Sequence, residues 1–262
     1  MRQTEDVRIV VTNDDGIDSP GIHALARTLK MCGHDVTIVA PARDYSGFGA
    51  ALGPLHVTNQ ILFEEREIES LTGIPAYAVD GPPGLCSFAT VLQGFGERPD
   101  MLVSGINAGQ NLGRAVLFSG TVGAALAAVQ FGVPAMAVSL AHGEEWHWDT
   151  AAVCAASLVN SAHAAGTRGV LNVNVPNVRP YAVRGMRAAS LAMGGTVQGA
   201  MENTAPGTLE LNFQRTEPPA GSDVALLQEG WVTLSLVSAP RDVADGTLDD
   251  IVSQLTNEEL AG

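Results

Sequence analysis

Short apolar runs rich in β-branched residues alternate along this chain with segments whose apolar residues recur at helical spacing, and that alternation limits the possible folds more than any other feature. Residues 7–12 (VRIVVT) are the first run. Residues 21–31 follow at helical spacing, with Ser19 placed as an N-cap, Pro20 as the first helical residue and Gly33 just beyond the end. Residues 35–40 (DVTIVA) are the next run. A short apolar run bounded by turn residues is the pattern of a strand buried on both faces, so this unit reads as β-α-β with a right-handed crossover. The same reading predicts strands over 76–80, 101–104, 134–140 and 170–175, and helices over 85–92, 119–131 and 149–164. The expected class is α/β, a doubly wound, mostly parallel Rossmann-like sheet with helices on both faces. Past Pro176 the pattern changes. Residues 181–236 read as longer alternating strands broken at Gly194-Gly195 and Pro218-Pro219, a C-terminal antiparallel hairpin extension suited to subunit contact, and 248–260 reads as a helix. No repeat or low-complexity linker divides the chain, so 1–262 is expected to be a single domain.

With 46% hydrophobic residues over 262, the chain has ample material for a core, which excludes a disordered or collagen-like protein. Its 14 basic residues stand against 28 acidic ones, a formal net charge of -14. So acidic a surface repels phosphate polyanions and anionic lipid, which argues against duplex nucleic acid or a membrane surface as partner. An anionic ligand would need a cation or backbone donors to offset that field. Cys32, Cys86 and Cys154 are too far apart for a disulfide framework or a CxxC metal knuckle. Residues 1–6 lead into the first strand without a signal-peptide core, and the most apolar stretch, 124–141, is interrupted by Gln130, Gly132, Pro134 and Ser139. A cytoplasmic location is expected.

Ligands of open α/β sheets sit beyond the carboxyl ends of the strands, and polar clusters fall at such ends here. Asn13-Asp14-Asp15-Gly16 follows the first strand. Adjacent carboxylates repel each other unless a cation neutralises both, although alone this tetrad is as readily an Asx-capped turn. Ser46, after the second strand, is a hydroxyl ligand or a turn residue. Ser104-Gly105-Ile106-Asn107 through Asn111 and Gly113 reads as a glycine-rich loop carrying two amides; it matches neither a dinucleotide fingerprint nor a P-loop. Ser119-Gly120-Thr121 opens a helix whose N–H groups and flanking hydroxyls suit a phosphate, or simply cap the helix. Taken together, the oxygen donors suit a hard divalent cation such as Mg²⁺ or Mn²⁺ rather than zinc. A cation beside an anion cradle is the equipment for metal-assisted phosphate ester hydrolysis.

In order, Thr12-Asn13-Asp14-Asp15-Gly16-Ile17 with Ser19-Pro20-Gly21, Ala40-Pro41 with Ser46-Gly47, Ser104-Gly105-Ile106-Asn107-Ala108-Gly109 with Asn111-Leu112-Gly113, and Ser119-Gly120-Thr121-Val122-Gly123-Ala124 closely resemble the SurE survival-protein family. Residues 134–140, 149–152, 171–176 and 222–232 extend the likeness over nearly the whole chain. The resemblance implies a metal-dependent phosphatase acting on nucleoside 5′- and 3′-monophosphates. It implies that Asp14, Asp15, Ser46 and Asn107 hold one divalent ion per subunit, Asp14 and Asp15 being catalytic. Asn111, Ser119, Gly120 and Thr121 would then bind the substrate phosphate. It implies a homodimer or homotetramer formed by exchanging the hairpin and C-terminal segments. No residue stands out as the nucleophile of a phospho-enzyme, which favours direct attack by water.

Several positions depart from the family's pattern. Residues 48–53 (FGAALG) are apolar where the family carries Ser, Thr or Asn, and Tyr45 stands where a basic or amide side chain is common. Leu85 replaces an aspartate, Phe118 a tyrosine, and Ser235-Leu236 a Thr-Pro. The inferred ligands are all kept, while the surround of the substrate is less polar. That leaves a phosphatase for another phosphate ester, or a non-catalytic nucleotide-binding module, as the other readings. His142 to His147 (HGEEWH) is not spaced as a zinc helix and reads as a loop; 64–69 reads as a solvated face, and Arg43 and Arg114 as surface residues flanking the site.

Overall fold

The computed structural model describes residues 6–166, 169–192, 197–215, 217–238, 240, 247 and 252. In chain order the elements are β1 (Arg8–Thr12), α1 (Pro20–Met31), β2 (Asp35–Pro41), α2 (Leu55–Thr58), β3 (Phe63–Glu65), β4 (Ala76–Val79), α3 (Pro83–Val91), β5 (Met101–Ala108), α4 (Gly120–Gln130), β6 (Ala135–Leu140) and α5 (Trp148–Ala165). There follow β7 (Gly169–Val175), β8 (Met186–Ala188), β9 (Val197–Ala205), β10 (Thr208–Arg215), α6 (Asp223–Gln228) and β11 (Val232–Ser238). The main sheet runs β3-β4-β2-β1-β5-β6-β7-β11-β8. From β4 to β7 every pairing is parallel; β3 and β11 join antiparallel at either side of that block. The expected doubly wound α/β class is what the chain adopts.

Strand alternation divides the core between the two faces. Ile9 and Val11 of β1 pack with Ile22, Leu25 and Leu29 of α1 and with Ala151 and Ala155 of α5, whereas Val10 packs with Val39, Val79, Leu85 and Cys86 on the opposite face. On that second face α4 presents Val122, Ala125 and Ala128 to Leu102, Ala135 and Ala137. The Val, Leu and Ile side chains among these contribute about 1.5–3 kcal/mol each when fully buried, and the alanines less, so the sheet holds the strand ends above it in fixed register.

β1 pairs with β2 on one side and β5 on the other. The chain therefore winds outward through β2 and β4 and restarts on the far side of β1. A crevice opens at such a reversal, outside the carboxyl ends of the two central strands.

Some elements differ from expectation. Ser19 occupies the N-cap position of α1 without capping it, because its hydroxyl accepts from Asn13 Nδ2 instead (2.9 Å). β5 continues past Ser104 to Ala108, so Asn107 stands in a strand rather than a loop. Its pairing with β6 shifts register between Ser104 and Asn107, where Gly105 has φ +138° and leaves no room for a Cβ against the Val138 carbonyl. Among the described residues of 181–236 only β9 and β10 form a separate antiparallel pair; β8 and β11 return to the main sheet, and α6, capped by Ser222, lies between β10 and β11 in the chain. The glycines 194–195 lie outside the described residues, as does the expected helix over 248–260 except for Val252. Among the described residues no helix is long and apolar enough to cross a membrane.

Candidate active site

Above the ends of β1 and β5 lies a cleft of about 300 Å³ lined by Asp14, Asp15, Ser46, Asn107, Asn111 and Ser119, with Phe118 and His142 at its sides. Local hydrogen bonding brings these residues together. Asn13 Nδ2 donates to the Gly16 carbonyl (2.8 Å) as well as to Ser19, pinching the chain after β1 so that two consecutive carboxylates line one space. The Tyr45 N–H donates to the Asp14 carbonyl (2.8 Å), docking the turn after β2 onto the turn after β1 and delivering Ser46. Beyond the shift in β5, pairing resumes at Asn107 with Ser139.

Asp14 is only 3% exposed. Burial raises its pKa, against the lowering effect of Thr121, whose hydroxyl donates to Oδ1 at 2.5 Å. Asp15 is half-buried; burial first, and then the negative charge of Asp14, push its pKa up to about 6, although the Ala108 N–H donates to Oδ2 at 3.2 Å. Both shifts record a site that penalises its own charge. Ser46 donates its hydroxyl to Asp44 Oδ1 (2.6 Å), which leaves the oxygen's lone pairs free to ligate. Asn107 commits its amide nitrogen to the Gly109 carbonyl (2.7 Å), so its oxygen is the atom left as a donor.

The residues expected at the phosphate divide into two groups. Asn111 and Ser119 line the cleft. Asn111 is clamped from β6 and β7: its N–H donates to Asn174 Oδ1 (2.7 Å), its side-chain nitrogen to Ser139 Oγ (2.8 Å), and its carbonyl accepts from Asn172 and Asn174. One side-chain N–H of Asn111 remains for a ligand. Ser119 caps α4 by accepting from the Val122 N–H (3.1 Å), which leaves its own proton to donate outward. Gly120 and Thr121 lie behind Asp14, in the first turn of α4. A Cβ on Gly120 would stand 2.6 Å from Asp14 Oδ2, and Thr121 is fully buried with its hydroxyl on Asp14.

Asn172, Asn174 and Ser139 carry no motif of their own; their signal is a polar residue placed in the middle of a buried strand, which requires a partner. His142 belongs to the loop expected between β6 and α5, and it reaches the cleft because Gly109, at φ +128°, leaves space for its ring. Arg114 is exposed, and the Arg43 guanidinium donates to the Tyr45 hydroxyl (3.1 Å) rather than facing the cleft.

Among the described residues no Lys or Arg lines this cleft. Among the described residues no group of three or more His, Cys, Asp or Glu is placed to hold a metal, so the donors available are two carboxylates supplemented by neutral oxygens. That set suits a hard divalent cation. A cation beside the carboxylates would offset their charge toward an anion entering the cleft.

A family model described as survival protein SurE matches residues 9–198. The chain is 35% identical over 238 residues to a 5′-nucleotidase SurE of Marinobacter nauticus, covering 88% of this chain and 89% of that one. It is 32% identical to a 5′/3′-nucleotidase SurE of Shigella dysenteriae serotype 1, covering 98% and 99%. Its fold superposes on the crystal structure of the SurE protein from Aquifex aeolicus with a TM-score of 0.76, at 26% identity, covering 94% of this chain and 98% of the other.

Proposed function

The chain belongs to the survival protein SurE family, and from that membership we propose that its acidic cleft hydrolyses nucleoside 5′-monophosphates, and 3′-monophosphates, to nucleoside and phosphate. It is a phosphoric monoester hydrolase of the nucleotidase type. The observation that carries the mechanism is a pair of adjacent carboxylates in a cleft that no described Lys or Arg lines, beside the N-terminus of α4.

Asp14, Asp15, Ser46 and Asn107 are the residues that would hold one divalent ion, Mg²⁺ or Mn²⁺. When bound, such an ion supplies Lewis-acid polarisation of a phosphoryl oxygen. Thr121 fixes the carboxylate of Asp14 by its hydrogen bond, and Gly120 permits the close approach of α4 to that carboxylate. Asn111 and Ser119 donate to the equatorial phosphoryl oxygens, and the free N–H groups of the first turn of α4 add their partial positive charge where negative charge accumulates. Asn111 is held by Ser139 and Asn174 of the neighbouring strands β6 and β7, so its donor is set before substrate arrives. Attack by water fits a cleft with no evident covalent nucleophile.

The decisive experiment is phosphate release from a panel of nucleoside monophosphates with Mg²⁺, Mn²⁺ or EDTA. Release with either metal, abolished by EDTA and restored by excess metal, is the expected result. Absence of release with both ions would overturn the reading in favour of a nucleotide-binding module.

We also propose that β9 and β10 serve assembly. Met201 pairs with Leu211, Leu209 lies two residues along on the same face, and these side chains are 66%, 44% and 67% exposed. A lone two-stranded hairpin is marginal in water, and an apolar stripe along one face invites a second copy. Light scattering on the full chain should give a dimer or tetramer, and Leu209→Glu should shift it toward monomer; a wild-type monomer would refute the assignment.

A further inference from the structure

An apolar pocket of about 400 Å³ opens on the other side of the turn that carries Ser46. Ser46 and Gly47 line the catalytic cleft, whereas their neighbours Tyr45 and Phe48 line this second pocket. Successive Cα atoms are about 3.8 Å apart, so the aromatic wall starts one residue from a proposed metal ligand. Tyr45 and Phe48 meet edge to face, with ring centroids 5.1 Å apart. Leu85, 5% exposed, closes the floor, and Leu62, 64% exposed, stands at the mouth. Thr58, Gln60 and Asp80 are the polar side chains of the lining, and no cation is among them. A mostly apolar concavity with a few hydrogen-bonding groups is the usual form of a small-molecule site. The two concavities share one wall, the turn 45–48, so this pocket is the neighbouring concavity for the alcohol part of an ester held by its phosphate in the cleft.

We propose that this pocket is the subsite for the base of the nucleotide, taking a flat, uncharged ring against Tyr45 and Phe48 and reading its polar edge through Thr58, Gln60 and Asp80. The assignment rests on the nucleotidase reading and gives it a selectivity. The base, and not only the phosphate and sugar, contributes to recognition, and larger purine rings gain more from the apolar wall than pyrimidines do.

The test compares kcat/KM for AMP and CMP with that for ribose 5-phosphate, which carries the same phosphate and sugar without a base. Stacking a base on an aromatic wall has effects of about tenfold or more, so AMP is expected to exceed ribose 5-phosphate by at least about tenfold, with CMP between. Leu62→Glu and Phe48→Ala, both at exposed positions, are each expected to shrink that ratio about tenfold. A merely structural role would lower both substrates together and leave the ratio unmoved. Equal rates on AMP and ribose 5-phosphate in the wild type, or a ratio unchanged in both variants, overturns the subsite while leaving the phosphatase intact. No release from either ester with Mg²⁺ or Mn²⁺ overturns the nucleotidase reading instead. A change in oligomeric state with Leu62→Glu and no change in ratio overturns the subsite by assigning this face to a second copy.

Discussion

Asp14→Asn is expected to reduce turnover on the order of 10³-fold, the scale of losing one preorganised electrostatic group at a reacting centre, while the metal-free protein becomes no less stable. The two effects have opposite signs because one carboxylate causes both. The amide keeps the shape of the side chain and an oxygen to accept from Thr121, so the local packing persists. What it removes is a buried negative charge that is penalised first by desolvation and further by Asp44, and that itself raises the pKa of Asp15. A carboxyl whose folded pKa lies above its unfolded value of 3.8 contributes stability that is fully present below that value and lost as pH rises through the folded pKa, about 6 for Asp15. The wild-type metal-free melting temperature should therefore fall between pH 4 and pH 6 and stay low above it. In Asp14→Asn that fall is shallower. Adding Mn²⁺ at pH 7 should raise the wild-type melting temperature and leave the variant's unchanged. Normal turnover in the variant at ordinary metal concentration would falsify the role of Asp14.

The sequence made the strand order's consequence legible before it made the site's detail legible. Buried parallel strands read as uninterrupted apolar runs, and a polar residue directly after such a run is placed at the sheet's carboxyl edge. That is why position alone put Asp14, Asp15, Ser46, Asn107 and Asn111 on the segments that follow strands, while the roles expected of them came from the family likeness. The extension of β5 through Gly105 was hidden because a glycine inside a strand has the same local signature as one in a loop; only the resumed pairing of Asn107 with Ser139 distinguishes them. Ser119 and Thr121 read as two phosphate donors, yet residues two apart at a helix start point in different directions, and Thr121 turns inward to Asp14. Leu85, which the family resemblance marked as a departure, lines the apolar pocket and not the acidic cleft. α6 was missed because it is short and its role is not periodic: Asp223 is fully buried and accepts from the Gly113 and Ala192 N–H groups, tying the segment after the site to the C-terminal region.

Gly120→Ala separates helix propensity from steric room at the same site. Alanine in place of glycine in a helix gains up to about 1 kcal/mol, and the φ of Gly120 is not in the left-handed region, so backbone conformation does not oppose the change. Space does. The new methyl would lie 2.6 Å from Asp14 Oδ2, 2.7 Å from its Cβ and 3.0 Å from its Cγ. These atoms belong to a short, buried side chain already held by Thr121, so they cannot swing clear as the tip of an exposed lysine could. Overpacking of this kind costs roughly 1–3 kcal/mol, which exceeds the propensity gain, and relief requires α4 or Asp14 to move. A shift approaching 1 Å at a group that positions the reaction costs about 10²-fold in rate. The expected variant therefore melts several degrees lower, binds Mn²⁺ more weakly and turns over about 10²-fold more slowly, and excess Mn²⁺ restores only part of the rate. Circular dichroism melts with a metal titration of phosphate release check all three. A variant that is more stable than wild type and equally active would mean that α4 does not press on Asp14, and the contact between helix and carboxylate would lose its place in the mechanism.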